Sequence, residues 1–327
     1  MKISFGSGTI VIPVAATIAG AIAEYLQLMI HKVVTNSHEE INNTTIELST
    51  ELSAEYLSPQ DFAESIRLVP TSPYQYVSTI AHRLAARSSL TPVEICQQID
   101  LSTPTTIVNL HSRLEMCCWH NEAGYSYFQI TPESVMAWLN YIHDLPIDLD
   151  LDRDWIAPPI SDISVAIYAH ARCCSLLDLA VTNRSIAMTP DWQISTLELF
   201  SPSQSSYREN QLSAASVSIL NTPAEERLIQ TLMAVLDSVY GDKLQLNSQP
   251  DRCGGFRQHR KQPNWAKLTI NLAHSWLEFY RHCRIFGDRQ IQNPQLTIAR
   301  CGLTAISRRY LQLLLENYLG IKAAVEL

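Results

Sequence analysis

The sequence predicts a mainly α fold in which an N-terminal α+β domain is followed by a bundle of α-helices. Three observations carry this. Apolar residues recur at steps of three and four over most of residues 160 to 320, the spacing that lines one side of a helix. Period-two alternation is confined to the first half, where "GYSYFQI" (124–130) reads as a half-buried strand. Glycine supplies only 10 of 327 residues, and neither G-x-G-x-x-G nor G-x-x-x-x-G-K-[ST] occurs, so a phosphate-cradling nucleotide fold is not expected.

The elements follow in order. "IVIPVAATIAGAIA" (10–23) comes after Lys2 and ends in an A-x-A, as a secretory leader does. Pro13 interrupts it and Glu24 follows, so it is too short to span a bilayer and is read as a buried strand turning into a helix. No membrane span is expected, and the rest of residues 1–70 takes no assignment. In "TPVEICQQI" (91–99), Thr91 is placed to cap a helix, Pro92 to occupy its first turn and Glu94 to complete a capping box. Residues 146–160 form an acidic linker between domains at 1–145 and 161–327. Asp148, Asp150 and Asp152 alternate there as in a calcium loop. Arg153 stands where that loop needs Gly, however, and Pro159 where it needs a bidentate Glu.

Within "IYAHARCCSLLDLA" (167–180), the helical face Ile163, Ile167, Ala171, Cys174, Leu177 and Val181 is expected in the core. This leaves Tyr168 and Arg172 together on a flank, with His170 pointing roughly opposite Tyr168. No second C-x-x-C completes a zinc site, and no paired base and orienting group marks Cys174 as a nucleophile. "SPSQSSYRENQLSAAS" (201–216) is expected to be a mobile surface loop. Thr222, Pro223 and Glu225 open the next helix with a second capping box, and Leu228, Leu232, Val235 and Val239 form its stripe. Trp265, Leu268, Leu272, Trp276, Phe279, Cys283 and Phe286 mark another helix. Leu296, Ala299, Leu303, Ile306, Tyr310 and Leu313 mark the last, with Gly320 able to end it in the left-handed conformation.

Cysteine usage and charge narrow the function. Cys117-Cys118 and Cys173-Cys174 are adjacent pairs among eight cysteines, which suits a reduced, cytoplasmic protein better than a disulfide framework. Burial in a helix is expected to leave Cys117 and Cys118 inert. Residues 1–239 carry 11 basic against 26 acidic side chains, a net of −15, whereas residues 240–327 carry 13 against 6, a net of +7. An acidic chain with a basic end can meet a polyanion through that end. "DRCGGFRQHRKQP" (251–263) gathers Arg252, Arg257, Arg260 and Lys261 around Phe256. Cations around a stacking ring suit a single-stranded loop of RNA. Arg281, Arg284, Arg308 and Arg309 add charge on the helices.

"YAHARCCSLL", "TPAEERLI", "LAHSWLEFYRHCRIF" and "IARCGLTAISRRYLQLLLENYLGI" together resemble, in order and spacing, the anticodon-binding domain of arginyl-tRNA synthetases, the DALR-type bundle. "YQYVSTIAHRLAARSSLTPVEICQQI" with "EAGYSYFQITPESVMAWL" is similar to the additional N-terminal domain of the same family. The resemblance implies contacts to the tRNA D-loop from the first domain. It implies RNA contacts from the second, with candidates Tyr168, Arg172, Arg252, Phe256, Arg257, Arg260, Lys261, Arg281, Arg284, Arg308 and Arg309. Arg300 matches a position tied into the family's bundle and is not counted among the contacts. The catalytic domain that separates these parts in the synthetases, with its H-I-G-H and K-M-S-K-S-like signatures, has no counterpart here. The implication is a non-enzymatic paralogue without catalytic residues, metal or cofactor that binds tRNA or a tRNA-like RNA. The chain departs from the family at Tyr127, where Asn is usual, and at Ala324 and Leu327 near its end. The alternative is a protein-interaction or assembly subunit that reuses the bundle to dock on a protein partner; the apolar N-terminal segment could also dock to a protein partner.

Overall fold

A computed structural model describes residues 9–12, 17–39, 59–99, 105–109, 113–145, 163–189, 192–195, 199–200, 219–247, 263–287 and 291–326. The acidic segment 146–160, the Ser-rich segment 201–216 and the basic residues 251–262 lie outside this set. The chain is mainly helical and divides into two compact units, Met1–Val135 with Val239–Ser248, and Met136–Ser238 with Gln249–Leu327. The division at Val135 falls ahead of the boundary expected at residue 145.

The first unit is built on a sheet. Its strands are β1 (Thr9–Ile12), β2 (Ile66–Leu68), β3 (Gln75–Ser78), β4 (Thr105–Asn109), β5 (Arg113–His120) and β6 (Ser126–Ile130). They lie in the order β1-β4-β5-β6-β3-β2. All neighbours are antiparallel except β1 and β4. The alternation read in "GYSYFQI" holds: Ser126, Phe128 and Ile130 are buried, while Tyr127 and Gln129 lie on the other face. The buried side of the sheet continues through Tyr76, Ser78, Leu114 and Met116.

The expected strand-then-helix at the start is present, with β1 followed by α1 (Ile18–Glu39). Thr17 caps α1 by accepting the Gly20 amide at 2.9 Å. Ile18, Ile22, Tyr25, Leu26 and Ile30 are buried at helical spacing. Short helices α2 (Pro59–Ser65), α3 (Ile80–Ala85) and α4 (Pro92–Gln98) complete the unit. The predicted capping box opens α4: the Thr91 amide donates to Glu94 Oε2 at 2.8 Å and the Glu94 amide donates to Thr91 Oγ1 at 3.3 Å.

Gly124 turns β5 into β6 with φ +78°, and a Cβ there would meet Pro92 Cβ at 2.5 Å and its carbonyl carbon at 2.9 Å. Both the left-handed backbone and the close approach require glycine. Gly124→Ala is therefore expected to destabilise the protein by about 1–3 kcal/mol, read as a lower urea midpoint at unchanged slope.

Helix α5 (Pro132–Asp144) spans the division at Val135. The second unit continues with α6 (Ser164–Thr182), α7 (Pro223–Asn247, of which residues to 238 belong here), α8 (Trp265–His282) and α9 (Pro294–Leu313). A π turn, Leu314–Tyr318, extends α9. The predicted stripes are buried at Leu228, Leu232 and Val235 on α7. They are buried at Trp265, Leu272, Trp276 and Phe279 on α8, and at Ala299, Leu303, Ile306, Tyr310 and Leu313 on α9. Asn264 and Asn293 cap α8 and α9 by accepting the amides of Lys267 and Leu296, both at 3.0 Å. Gly320, at φ +64°, ends the run in the expected left-handed conformation.

Helix α6 packs against both α8 and α9 and so buries a wider arc than one stripe. Cys174, Ala171 and Leu177 are in the core as expected, but so are Ala166, Ala169, His170, Cys173, Leu176 and Ala180. Ile163 and Ile167 are only half-buried and Val181 is exposed. By length and composition α6 is apolar enough to cross a bilayer, and it is the one such helix among the described residues.

Candidate functional site

An open cleft of about 420 Å³ lies where α6 passes the C-terminal end of α8. Helix α6 supplies Arg172, Ser175, Leu176 and Leu179. Tyr280 and Arg281 come from α8, and Cys283, Arg284, Ile285 and Phe286 from the turn that follows. Helix α8 stops because Cys283 takes an extended backbone, φ −108° and ψ 97°, which swings Arg284 and Phe286 toward α6.

The floor of the cleft is apolar and its rim is cationic. Among the described residues, none that lines it is acidic. Arg172 is held in place: its Nη2 donates to the Tyr280 hydroxyl at 2.9 Å, and its guanidinium carbon lies 5.4 Å from the Tyr280 ring centroid. Tyr280 is itself stacked on the buried Trp276, with centroids 5.4 Å apart and planes at 11°. That hydroxyl contact favours the charged form of Arg172 still further. Arg281 and Arg284 are exposed and make no ion pair among the described residues. Three guanidinium groups without a carboxylate make the cleft a site of positive potential, and Leu176, Leu179, Ile285 and Phe286 offer a dry surface beside it.

The structure thus brings together Arg172, Arg281 and Arg284 from the residues singled out in the sequence. Tyr168, 46% exposed, stands one turn before Arg172 on α6. Arg308 and Arg309 must be corrected. Arg308 is only 7% exposed. It donates to Gln312 Oε1 and lies under the Trp192 ring, 4.9 Å from its centroid, and burial pulls its pKa down. Arg309 donates to the carbonyls of His143 and Leu145, satisfying the C-terminal end of α5. Arg308 is buried and Arg309 half-buried, and these bonds of both run within the bundle. Arg252, Phe256, Arg257, Arg260 and Lys261 lie outside the described residues. Tyr280 and Phe286 were not singled out as site residues, although Trp276 and Tyr280, four apart beside Arg281, form a readable stacking pair.

Cys117 and Cys118 lie on β5, not on a helix, and neighbours on a strand point to opposite faces. Burial pushes Cys118 up to about 12, Cys174 up to about 11 and Cys301 up to about 12, and it pushes Cys173 higher than its ordinary value as well. Among the described cysteines only Cys117 is exposed. Alkylation followed by mass spectrometry is expected to label it well before the others; prior labelling of Cys173 or Cys174 would contradict the packing of α6. Among the described residues, no group of three or more His, Cys, Asp or Glu side chains could hold a metal ion.

A second exposed feature belongs to the first unit. Trp119 of β5, 41% exposed, pairs with Tyr127 of β6 on the open face of the sheet, their rings stacked at 5.6 Å and 11°. Comparison with protein-family models, curated proteins and solved structures yields no match for this chain.

Proposed function

We propose that this protein is a non-catalytic relative of arginyl-tRNA synthetases that binds tRNA or a tRNA-like RNA through an anticodon-binding-type helical bundle. The N-terminal α+β part is read as the remnant of the family's other tRNA-contacting domain. The observation that carries the reading is the cleft: Arg172, Arg281 and Arg284 surround an apolar floor with no carboxylate among the described lining residues. Phosphates would be held at the rim, where attraction is independent of sequence. An unstacked base would lie against Tyr280 or Phe286, a contact worth about 1–3 kcal/mol. Such a protein acts in the cytoplasm by grip alone, with no cofactor and no aminoacylation chemistry. The test is to purify it from its own cells, compare absorbance at about 260 and 280 nm (nucleic acid absorbs most strongly at the former), and sequence any RNA that accompanies it. Recovery of a defined tRNA set whose release rises steeply with salt is expected; RNA-free protein with no salt-dependent affinity for tRNA would end the proposal.

One observation favours the alternative, an assembly subunit that docks on a protein. Trp119 stands exposed, stacked on the half-buried Tyr127, in the part of the chain whose net charge is negative, where a polyanion is repelled and an aromatic anchor for a protein is not. Co-purification of one defined protein without RNA would favour it.

A further inference from the structure

We propose that residues 319–326 form a strap that lies closed on the bundle and is released by proton uptake at His170. The strap begins where Gly320 reverses the chain at φ +64°. It is fastened at three places. The Ile321 amide donates to the Leu315 carbonyl at 2.8 Å. The Ala323 amide donates to Glu316 Oε1 at 3.3 Å. The Ala324 carbonyl accepts from His170 Nδ1 on α6 at 2.7 Å. Within it Leu319 and Ala323 are buried, while Lys322, Val325 and Glu326 are exposed. The strap is thus held by these two apolar side chains at its start and middle together with the three polar bonds.

The third bond fixes the state of the imidazole. A carbonyl only accepts, so Nδ1 must carry the hydrogen, and neutral His170 then presents a bare lone pair at Nε2. That nitrogen is buried and has no partner among the described residues. A proton added there would be buried without an acceptor. The charged groups that act on the ring are Arg308 of α9, which opposes a positive charge, and Glu316 of the π turn, which favours one. Cys174 lies on the same helix with its sulfur 4.0 Å from Nδ1, and burial keeps that thiol neutral. Burial outweighs the other influences and, together with Arg308, holds His170 below its ordinary value of 6.5 against the pull of the Ala324 carbonyl and Glu316.

Opening the strap exposes His170 to water and returns it toward 6.5, so the open state binds the proton more tightly. Closure is fully favoured above pH 6.5. As pH falls from there through the closed-state value, closure weakens by up to about tenfold per pH unit.

One polar chain leaves the strap. Glu316 Oε2 accepts from Gln312 at 3.1 Å, and Gln312 Oε1 accepts from Arg308 at 2.9 Å, under Trp192. Release at the strap thus frees one end of a network whose other end is Trp192.

The experiment is hydrogen exchange of the full chain, corrected for intrinsic rates, from about pH 7.5 to about pH 5.5. The Ile321 and Ala323 amides are expected to lose protection as pH falls below 6.5, by at most about tenfold at about pH 5.5, while amides in the middle of α6 and α9 keep theirs. In His170→Asn the side-chain amide can still donate to Ala324 but does not titrate, so strap protection is expected to be independent of pH. A histidine C2–H titration of the wild-type protein supplies a second check: one resonance should move at the pH where the strap opens. The proposal is overturned by unchanged strap protection in the wild type or by a His170→Asn strap that opens as the wild type does. Loss of α6 and α9 protection in step with the strap, or no histidine resonance moving with it, overturns it equally.

Discussion

Reversing Arg281 and Arg284 together (R281E/R284E) is expected to lower affinity for tRNA by about 100-fold at roughly 0.1 M salt. Each lost phosphate contact removes close to tenfold at that ionic strength. The slope of log affinity against log salt should fall in magnitude by about 2. Both residues are exposed and free of ion pairs among the described residues, so the unfolding free energy read from urea denaturation should stay within about 0.5 kcal/mol of the wild type. The weakening should be the same for every RNA tested, because rim contacts to phosphate carry no sequence information. Tyr280→Ala makes a complementary change. It removes both the stacking face and the hydroxyl that orients Arg172, and so should discriminate single-stranded from duplex RNA where the charge reversal does not. Filter binding at several salt concentrations reads both. Equal affinity of R281E/R284E and wild type would detach the cleft from RNA and leave the exposed Trp119, stacked on Tyr127, as the better guide to a partner.

Local chemistry was legible in the sequence because its causes are local. Thr91 with Glu94, and Thr222 with Glu225, were readable as capping boxes from four consecutive residues, and both form. The α8 and α9 stripes were readable for the same reason, since helical spacing decides which side chains share a face. What failed depended on neighbours distant in sequence. "RLEMCCWH" reads as helix or strand alike when taken alone, and it becomes β5 because β4 and β6 offer ladders on both sides. Arg308 and Arg309 sit in a run that looks like an exposed basic corner. Yet α9 is covered nearly all round, and a guanidinium inside can be satisfied by Gln312 or by the end of α5, which spacing cannot foresee. The cleft was half legible. Its arginines stood out by charge, but its apolar floor of Leu176, Leu179 and Ile285 is assembled from two segments a hundred residues apart.

Breaking the Glu225–Arg300 pair is expected to have the largest effect on stability of any single change within the bundle. Glu225 Oε1 accepts from Arg300 Nε at 2.7 Å, with both side chains nearly inaccessible, at 0% and 3%. The other carboxylate oxygen accepts the amides of Asn221 and Thr222 at 3.0 and 2.9 Å, so one side chain both caps α7 and neutralises α9. Glu225→Ala leaves a buried guanidinium without its anion and should cost about 3–5 kcal/mol, a fall in melting temperature of about 10 °C or more. Arg300→Met should cost a similar amount. Joining it to Glu225→Leu should recover part of the loss, because the penalty lies in the unpaired charge more than in the absent bond. The pair also reaches the cleft. Arg300 Nη1 donates to the Arg284 carbonyl at 2.5 Å, and Thr222 Oγ1 lies 3.2 Å from Cys283 Sγ, so the turn that presents Arg284 and Phe286 is fastened from behind by the same network. A Glu225→Ala protein measured well below its melting temperature should therefore bind RNA more weakly although residue 225 touches no solvent. A loss under about 1 kcal/mol, with RNA affinity unchanged, would mean that neither the bundle nor the cleft depends on this pair.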